Sequence, residues 1–285
     1  MADHGWRKWT RRIALALAIL LVFCVTKAWR DTMADPQLRE ARVILRGMPQ
    51  SSASLRLLVM SDLHVAGPDM PPARIARIVA QINALQPDLV LIAGDLVSDR
   101  RLATRYYSLH DAITPLAGLT PRLGTYAVLG NHDHWRNAAE ARSELIASGV
   151  TVLDNTAVRV GPLAIGGLDD DFTHHADIPA MMANIRRVGG APVVISHSPD
   201  PFPDLPAEVP LMLAGHTHCG QISLPLIGPP AAMSRYGKRY ACGRIDENGR
   251  TLFVTAGLGT SVLPFRFGVR PDIWLVTVEP NKMPR

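Results

Sequence analysis

Apolar positions along the chain fall into three regimes. The first is an uninterrupted run, Ile13 to Val25 (IALALAILLVFCV), too long and too apolar for a surface helix. Extended to Trp9 and Trp29, the segment would measure about 30 Å as a helix, the hydrocarbon thickness of a bilayer, with a tryptophan at each interface. The second regime alternates between two periods. It predicts strand Leu55 to Met60, helix Pro72 to Leu85 (apolar at Ile75, Ile78, Val79, Ile82 and Leu85), strand Leu89 to Ala93, helix Leu102 to Leu116 and strand Thr125 to Leu129. The third is richer in strands. After a helix near Ala138 to Ala147 come short strands within 150–167, then Val193 to Ser196 and Leu211 to Ala214. Strand-like segments follow at 221–224, 239–245, 252–255 and 273–278.

Repeated β-α-β units followed by meandering strands predict a layered α/β domain, with two sheets packed together and helices outside. The expected organisation is an N-terminal hydrophobic helix over residues 1–30, a linker and leading strand over 31–54, and the main α/β domain over 55–285. The middle segment contains Pro36, Pro49 and an extended candidate, Ala41 to Arg46.

Charge changes the picture at the N-terminus only. The chain carries +5, yet Arg7, Lys8, Arg11, Arg12, Lys27 and Arg30 set against Asp3 account for all of it. The remainder is neutral and lacks the clustered positive field that backbone-driven nucleic-acid binding needs, so nucleic acid is not the expected partner. Basic residues before the apolar run match an export signal or signal-anchor with a cytoplasmic N-terminus. Thr26-Lys27-Ala28 is a poor cleavage site, which favours a retained anchor at residues 9–29 and an extracytoplasmic domain. Thr10-Arg11-Arg12 hints at twin-arginine export. Cys24 lies in the apolar run. Cys219 and Cys242 fit no zinc spacing and are expected as two separate small buried side chains, with a bridge as the alternative in an oxidising compartment.

Candidate chemistry sits just past the strand ends. Ser61-Asp62-Leu63-His64 follows LLVM, Gly94-Asp95 follows LVLIA and Gly130-Asn131-His132-Asp133 follows YAVL; Ser196-His197 follows PVVI and Gly215-His216-Thr217-His218 follows LMLA. Carboxyl ends of strands share one rim in an open α/β sheet, so five such clusters should converge. Asp62, His64, Asp95, Asn131, His197, His216 and His218 are the candidate ligands. Their carboxylate, amide and imidazole donors suit manganese, iron, zinc or cobalt better than calcium or copper(I). Seven exceed what one four- to six-coordinate ion accepts, whereas a bridging carboxylate would serve two ions about 4 Å apart. Gly94, Gly130 and Gly215 each precede a candidate ligand and are expected to permit a sharp turn.

The ordered set D-x-H, G-D, G-N-H-D, H, G-H-x-H resembles the calcineurin-like metallophosphoesterase superfamily over roughly Leu55 to Val278. Its wording (SDLH, AGDL, GNHD, ISHSPD, AGHTHCGQ) looks most like the bacterial membrane-associated phosphodiesterase branch, which includes UDP-diacylglucosamine hydrolases. The resemblance implies a four-layer α-β-β-α sandwich with two mixed sheets. It also implies one divalent ion on Asp62, His64, Asp95 and His218 and another on Asp95, Asn131, His197 and His216, manganese favoured. His132 resembles the general acid. The implied reaction is hydrolysis of a phosphodiester or pyrophosphate, in a membrane-associated substrate such as a UDP-diacylglucosamine-like lipid. Hydrolysis of a lipid A precursor would need a cytoplasm-facing site, against the topology expected above. One departure stands out: the acidic residue that orients the acid in the phosphatase branch is here Ser98, with Asp99 one further on, so the partner of His132 is left unassigned.

Rival readings are a metal-stabilised membrane interaction module without turnover and a nuclease. His134, His174 and His175 are rim candidates or solvated loop residues, and Asp169 to Asp171 read as a turn. Gly257 to Ser261 (GLGTS) lacks a P-loop lysine and reads as a tight turn near the site. Pro264-Phe265-Arg266-Phe267 is either a packed turn or an arginine for a lipid phosphate.

Overall fold

The computed structural model describes residues 3–98 and 101–281. A 31-residue helix, α1 (Asp3–Met33), leads into strand β1 (Gln37–Leu45). There follow β2 (Leu55–Met60), β3 (Ala66–Gly67), α2 (Pro72–Ala84), β4 (Leu89–Ala93), β5 (Arg105–Tyr106), α3 (Leu109–Ile113), β6 (Thr125–Val128) and α4 (Asn131–Ala147). The chain continues through β7 (Val150–Val152), β8 (Thr156–Val160), β9 (Leu163–Leu168), α5 (Ile178–Val188), β10 (Ala191–Ser196) and β11 (Leu211–Ala214), and ends with β12 (Gly243–Glu247), β13 (Arg250–Val254) and β14 (Asp272–Pro280).

Two six-stranded mixed sheets result, ordered β1-β14-β2-β4-β6-β7 and β12-β13-β11-β10-β9-β8. Alternation within the strands explains the layering. In β2, Leu57 and Val59 point between the sheets, where they meet Val193, Ile195, Leu211, Leu213 and Phe253. Leu58 and Met60 point the other way, onto Ile75, Ile78 and Ile82 of α2 and onto Leu145 of α4. The second sheet turns Val194 and Met212 outward onto Met181, Met182 and Ile185 of α5. The fold is therefore the α-β-β-α sandwich expected from the sequence, with α1 in front of it. The extended candidate near Ala41 is the edge strand β1, paired in parallel with β14 from Gln37↔Asp272 to Leu45↔Pro280.

Four expected elements differ. The helix expected over Leu102 to Leu116 shrinks to the five residues of α3 followed by a 3-10 turn, Thr114–Gly118. Arg105–Tyr106 pairs instead with Ala66–Gly67, and Ser108 caps α3 by accepting from the Asp111 N–H. Pro115, without an N–H, ends the α-helical turn. Residues 221–224 form isolated bridges to the loop around Phe267 and to Gly228, not a strand, and 237–240 form a 3-10 turn ahead of β12. Helix α4 starts earlier than periodicity indicates, at Asn131. The Asp133 carboxylate accepts from the N–H groups of Gly130, Asp95 and Leu96 and so closes its first turn on the loop after β4.

Candidate metal centre

The clusters that follow β2, β4 and β6 come from one sheet and those that follow β10 and β11 from the other, and they meet at a common rim. Backbone bonds carry the pairing past the strands: Asp62 N–H donates to Gly94 O at 2.9 Å, His64 N–H to Asp95 O at 3.0 Å and Gly215 N–H to His197 O at 2.9 Å. His216 N–H then donates to Asp62 Oδ2 at 3.0 Å, which stitches the two sheets together.

Asp62, His64, Asp95, Asn131, His132, His197, His216 and His218 are all buried. Three groupings have ligand atoms mutually within 4.8 Å: Asp62, His64 and His218; Asp95, His197 and His216; and His64, Asp95 and His132. The Asp95 Oδ2 atom lies 3.5 Å from His64 Nε2 and 3.3 Å from His197 Nε2, between the first two groupings. Asn131 joins through Oδ1, 3.1 Å from His197 Nε2.

The donor set suits cations rather than a closed hydrogen-bond network. Asp62 Oδ1, His64 Nδ1 and His216 Nε2 are buried with no hydrogen-bond partner among the described residues, a costly condition unless a cation serves them. Pairs of imidazole nitrogens face each other at 3.0 Å, His64 Nε2 with His218 Nε2 and His216 Nδ1 with His197 Nε2. Nδ1 of His197 sits 2.7 Å from the Ala93 carbonyl, which turns its Nε2 toward the cluster. Burial holds His64 and His218 well below the ordinary imidazole value and His216 down to about 3, so these rings are neutral. Burial would raise the Asp95 carboxyl, but adjacent His197 holds it well below the ordinary range.

The backbone records the demand. Asp62, His64, Asp95, His216 and His218 all have left-handed φ, between 44° and 69°, a sparsely populated region for residues with a Cβ. Hence the glycine expectation holds only at Gly94, with φ 77°. A Cβ at Gly130 would strike the Asp95 carboxylate, and one at Gly215 would strike Ser61 and Asp62. At those two positions glycine provides room, and the ligand candidates themselves make the turns.

The general-acid candidate His132 meets His64 edge-on at 4.8 Å between ring centroids and Trp135 at 4.9 Å. Its N–H donates to Asp95 Oδ1 at 2.9 Å. Ser98 is buried and its Oγ has no hydrogen-bond partner among the described residues, while Asp99 lies outside them. His134 pairs with Asp169 at 2.8 Å and stacks on His175, centroids 4.1 Å apart. Asp170 accepts from Thr173 N–H and Oγ1, which is the turn expected there. The GLGTS segment is the expected tight turn: Leu258 and Gly259 N–H donate to Ser61 O and Asp62 O.

One open alternative is decided and one expectation is corrected. Arg266 is fully buried, donates to the carbonyls of Ala256, Gly257 and Gly259, and lies 3.4 Å from His218 Nδ1. It is a strut behind the site and not a lipid-phosphate arginine. Cys219 and Cys242 are joined in a disulfide, Cα atoms 4.7 Å apart, instead of lying separately. The residue after His218 is brought there by the long loop 215–242, whose course local periodicity does not encode.

Trp135 and Phe172 were missed by the sequence reading. With His132, His216, His218, Met233 and Val262 they line a cavity of about 410 Å³ over the cluster. The signal for Trp135 was its position three residues after His132, on the same face once α4 begins at Asn131.

The calcineurin-like phosphoesterase family matches residues 55–220, a range that contains all five strand-end clusters. The chain belongs to that family. It is similar to the transmembrane protein with metallophosphoesterase domain of Danio rerio, 28% identical over 92% of this chain and 62% of that protein. Phosphodiesterase YaeI of Escherichia coli is 31% identical over 79% of this chain and 83% of its own length. Among solved structures, a 5'-nucleotidase precursor from Thermus thermophilus aligns with TM-score 0.44 and 16% identity over 71% of this chain and 48% of that one. The chain spans about three fifths of the length of the first animal relatives it matches. For a member of this phosphoesterase family, the convergence of Asp and His at one rim is the feature that bears on chemistry.

Proposed function

We propose that this chain hydrolyses a phosphodiester or pyrophosphate bond with two divalent ions, manganese favoured. Asp62, His64, Asp95 and His218 would hold one ion and Asp95, Asn131, His197 and His216 the other. The observation that carries the reading is the Asp95 carboxylate, 3.5 Å from His64 on one side and 3.3 Å from His197 on the other. When bound, the ions would supply positive charge to the phosphoryl oxygens and an acidified water as nucleophile.

The chain's own residues do the rest. Family membership and the buried, unpartnered donors support them as ligands rather than as core residues. His132, whose backbone is tied to Asp95 and whose ring lies against His64, would protonate the leaving oxygen. Trp135 and Phe172 form an apolar wall that excludes water and can receive the non-phosphate part of a substrate.

Helix α1 is long and apolar enough to cross a membrane, with a candidate span at Trp6–Met33, and it supports a membrane-anchored enzyme acting on a membrane-associated substrate. The Cys219–Cys242 disulfide supports an extracytoplasmic domain, since such bonds persist in oxidising compartments. That favours a lipid-linked phosphoester on the outer face over a cytoplasmic lipid A precursor.

The test is turnover of bis(p-nitrophenyl) phosphate by the full chain in detergent. Activity should vanish on chelation and return with manganese, with metal analysis giving two ions per chain and a loss of both in Asp95→Asn. A manganese-loaded chain inert on this diester and on nucleotide-sugar lipids would overturn the reading in favour of a non-catalytic module.

A further inference from the structure

Two loops form one wall of the metal cavity, 220–233 and 261–263, and both turn apolar tips outward. Leu226 and Ile227 sit at the end of the turn closed by the Leu224–Gly228 backbone pair, Leu226 fully exposed and Ile227 65% exposed. Val262, also 65% exposed, and Phe265, 40% exposed, come from the second loop. Leu102, exposed as well, donates its N–H to Val262 O. Large exposed apolar side chains gathered on two neighbouring loops at the lip of a cleft are not the normal scatter of surface hydrophobes.

The same loops are fastened to the end of α1. Gln221 Nε2 donates to Leu263 O and Phe265 O, and its Oε1 accepts from Ser261 N–H, which locks the loops together. Ser223 N–H donates to Phe267 O, and Phe267 N–H to Gln221 O. Phe267 lies under the Lys27 ammonium, 5.1 Å from ring centroid to Nζ. Gly268 N–H donates to Asp31 Oδ2 and Arg266 N–H to Thr32 Oγ1. Asp31 is two residues past Trp29, ~3 Å along the helix axis, and a tryptophan at the end of an apolar span marks the lipid–water interface.

On the far side of loop 219–229 from the metal cavity lies a second hollow of about 470 Å³, reaching from the helix end to the disulfide. Lys27, Arg39, Lys238 and Arg270 line it against a single lining carboxylate, Asp31. Lys27 and Arg270 share Asp31, Arg39 is paired with Asp272 behind it, and Lys238 donates to Ile227 O. The balance is positive, beside the helix end that follows Trp29.

We propose that the ridge Leu224–Ile227 with Val262–Phe265 seats in the bilayer interface beside α1, with Lys27, Lys238 and Arg270 facing anionic headgroups. The metal cavity then opens at the membrane surface, and its apolar wall is continuous with the lipid. An amphiphile whose phosphoester sits at headgroup depth reaches the cluster without leaving the membrane. Continuity with α1 selects a lipid surface as the occupant of the ridge. The inference rests on α1 as a membrane span and on nothing about turnover.

The experiment reads position. In the full chain with Cys24→Ser, an environment-sensitive fluorophore is attached at Leu226→Cys, at Val262→Cys or, as control, at Ile146→Cys. Ile146 is exposed on α4, which packs over β7, the sheet edge opposite β1. Each chain is placed in nanodiscs of phosphatidylcholine alone or mixed with phosphatidylglycerol, with and without nitroxide-bearing lipid. The expected result is blue-shifted emission and several-fold quenching at 226 and 262, stronger with phosphatidylglycerol, and neither effect at 146. Arg270→Glu with Lys238→Glu should abolish the dependence on phosphatidylglycerol. Labels at 226 and 262 that report water as the label at 146 does would overturn the proposal. So would a blue shift in detergent that grows with protein concentration, which would assign the ridge to a second copy of the chain. Loss of diester hydrolysis leaves these readings unchanged, so the two conclusions fail separately.

Discussion

His132 shows how a single side chain carries two competing roles. Its ring is close enough to His64 and Asp95 to count as a ligand, yet the proposed chemistry needs it as an acid beside the ions. His132→Ala should keep two metal ions per chain while the diester rate falls by about 10²-fold or more. Loss of an ion in that variant, measured by metal analysis, would make His132 a ligand instead. His134 invites a different measurement. Burial lowers its value, but the hydrogen bond and charge of Asp169 outweigh this and hold it above the ordinary 6.5, while Asp169, which burial would raise, is held below 3.8 by His134. A raised histidine stabilises the fold in full below its unfolded value and loses that contribution as pH rises through its folded value; the lowered aspartate stabilises above its unfolded value and loses its contribution in acid. The pair should therefore contribute most from about pH 4 to about pH 6.5. The difference in melting midpoint between the natural chain and His134→Gln should be widest near about pH 6 and shrink toward about pH 9. A constant difference would mean that the pair is not ionic.

Among the elements, the loop after β11 is the one on which the site leans hardest. It runs from Gly215 to Cys242 with only short 3-10 turns, carries His216 and His218, and is pinned by the disulfide immediately after His218. Replacing both cysteines, Cys219→Ser with Cys242→Ser, should lower stability by about 3 kcal/mol, the size expected for closing a loop of this length. It should also reduce turnover, because Cys219 and His218 hold adjacent left-handed positions. Unchanged urea midpoint and rate would show that the loop is held by Gln221 and Arg266 alone. Strand-end clusters were legible because an apolar strand followed at once by Asp, Asn or His needs only local sequence. The loop was not legible: it is ordered by contacts with Gly268, Phe267 and Asp200, far away in the chain.

On the scale of the whole molecule, α1 is bonded into the domain and does not simply precede it. Asp31 accepts from Gly268, Thr32 Oγ1 from Arg266, and Arg74 donates to the carbonyls of Thr32 and Ala34. A chain starting at Asp31 keeps these bonds, whereas one starting at Gln37 loses them, at about 1 kcal/mol for each. The shorter form should unfold at lower temperature and with a weakened site, since Arg266 stands directly behind His218. Equal melting midpoints for the two forms would refute the coupling between anchor and cluster.

The sequence by itself determined the alternation of strands and helices, the two-sheet sandwich, the apolar N-terminal helix and the donors waiting at five strand ends. All of these rest on periodicity and spacing within a few residues. Only the tertiary structure decided that Asp95 lies between two histidine groupings, that Gly130 and Gly215 are glycines for want of space, and that Trp135, Phe172 and Arg266 surround the cluster. It also joined Cys219 to Cys242 and tied the helix end to the cavity wall. Those facts depend on atoms brought together from distant parts of the chain, as with His216 on Asp62 across 154 residues, and no local pattern records such a meeting.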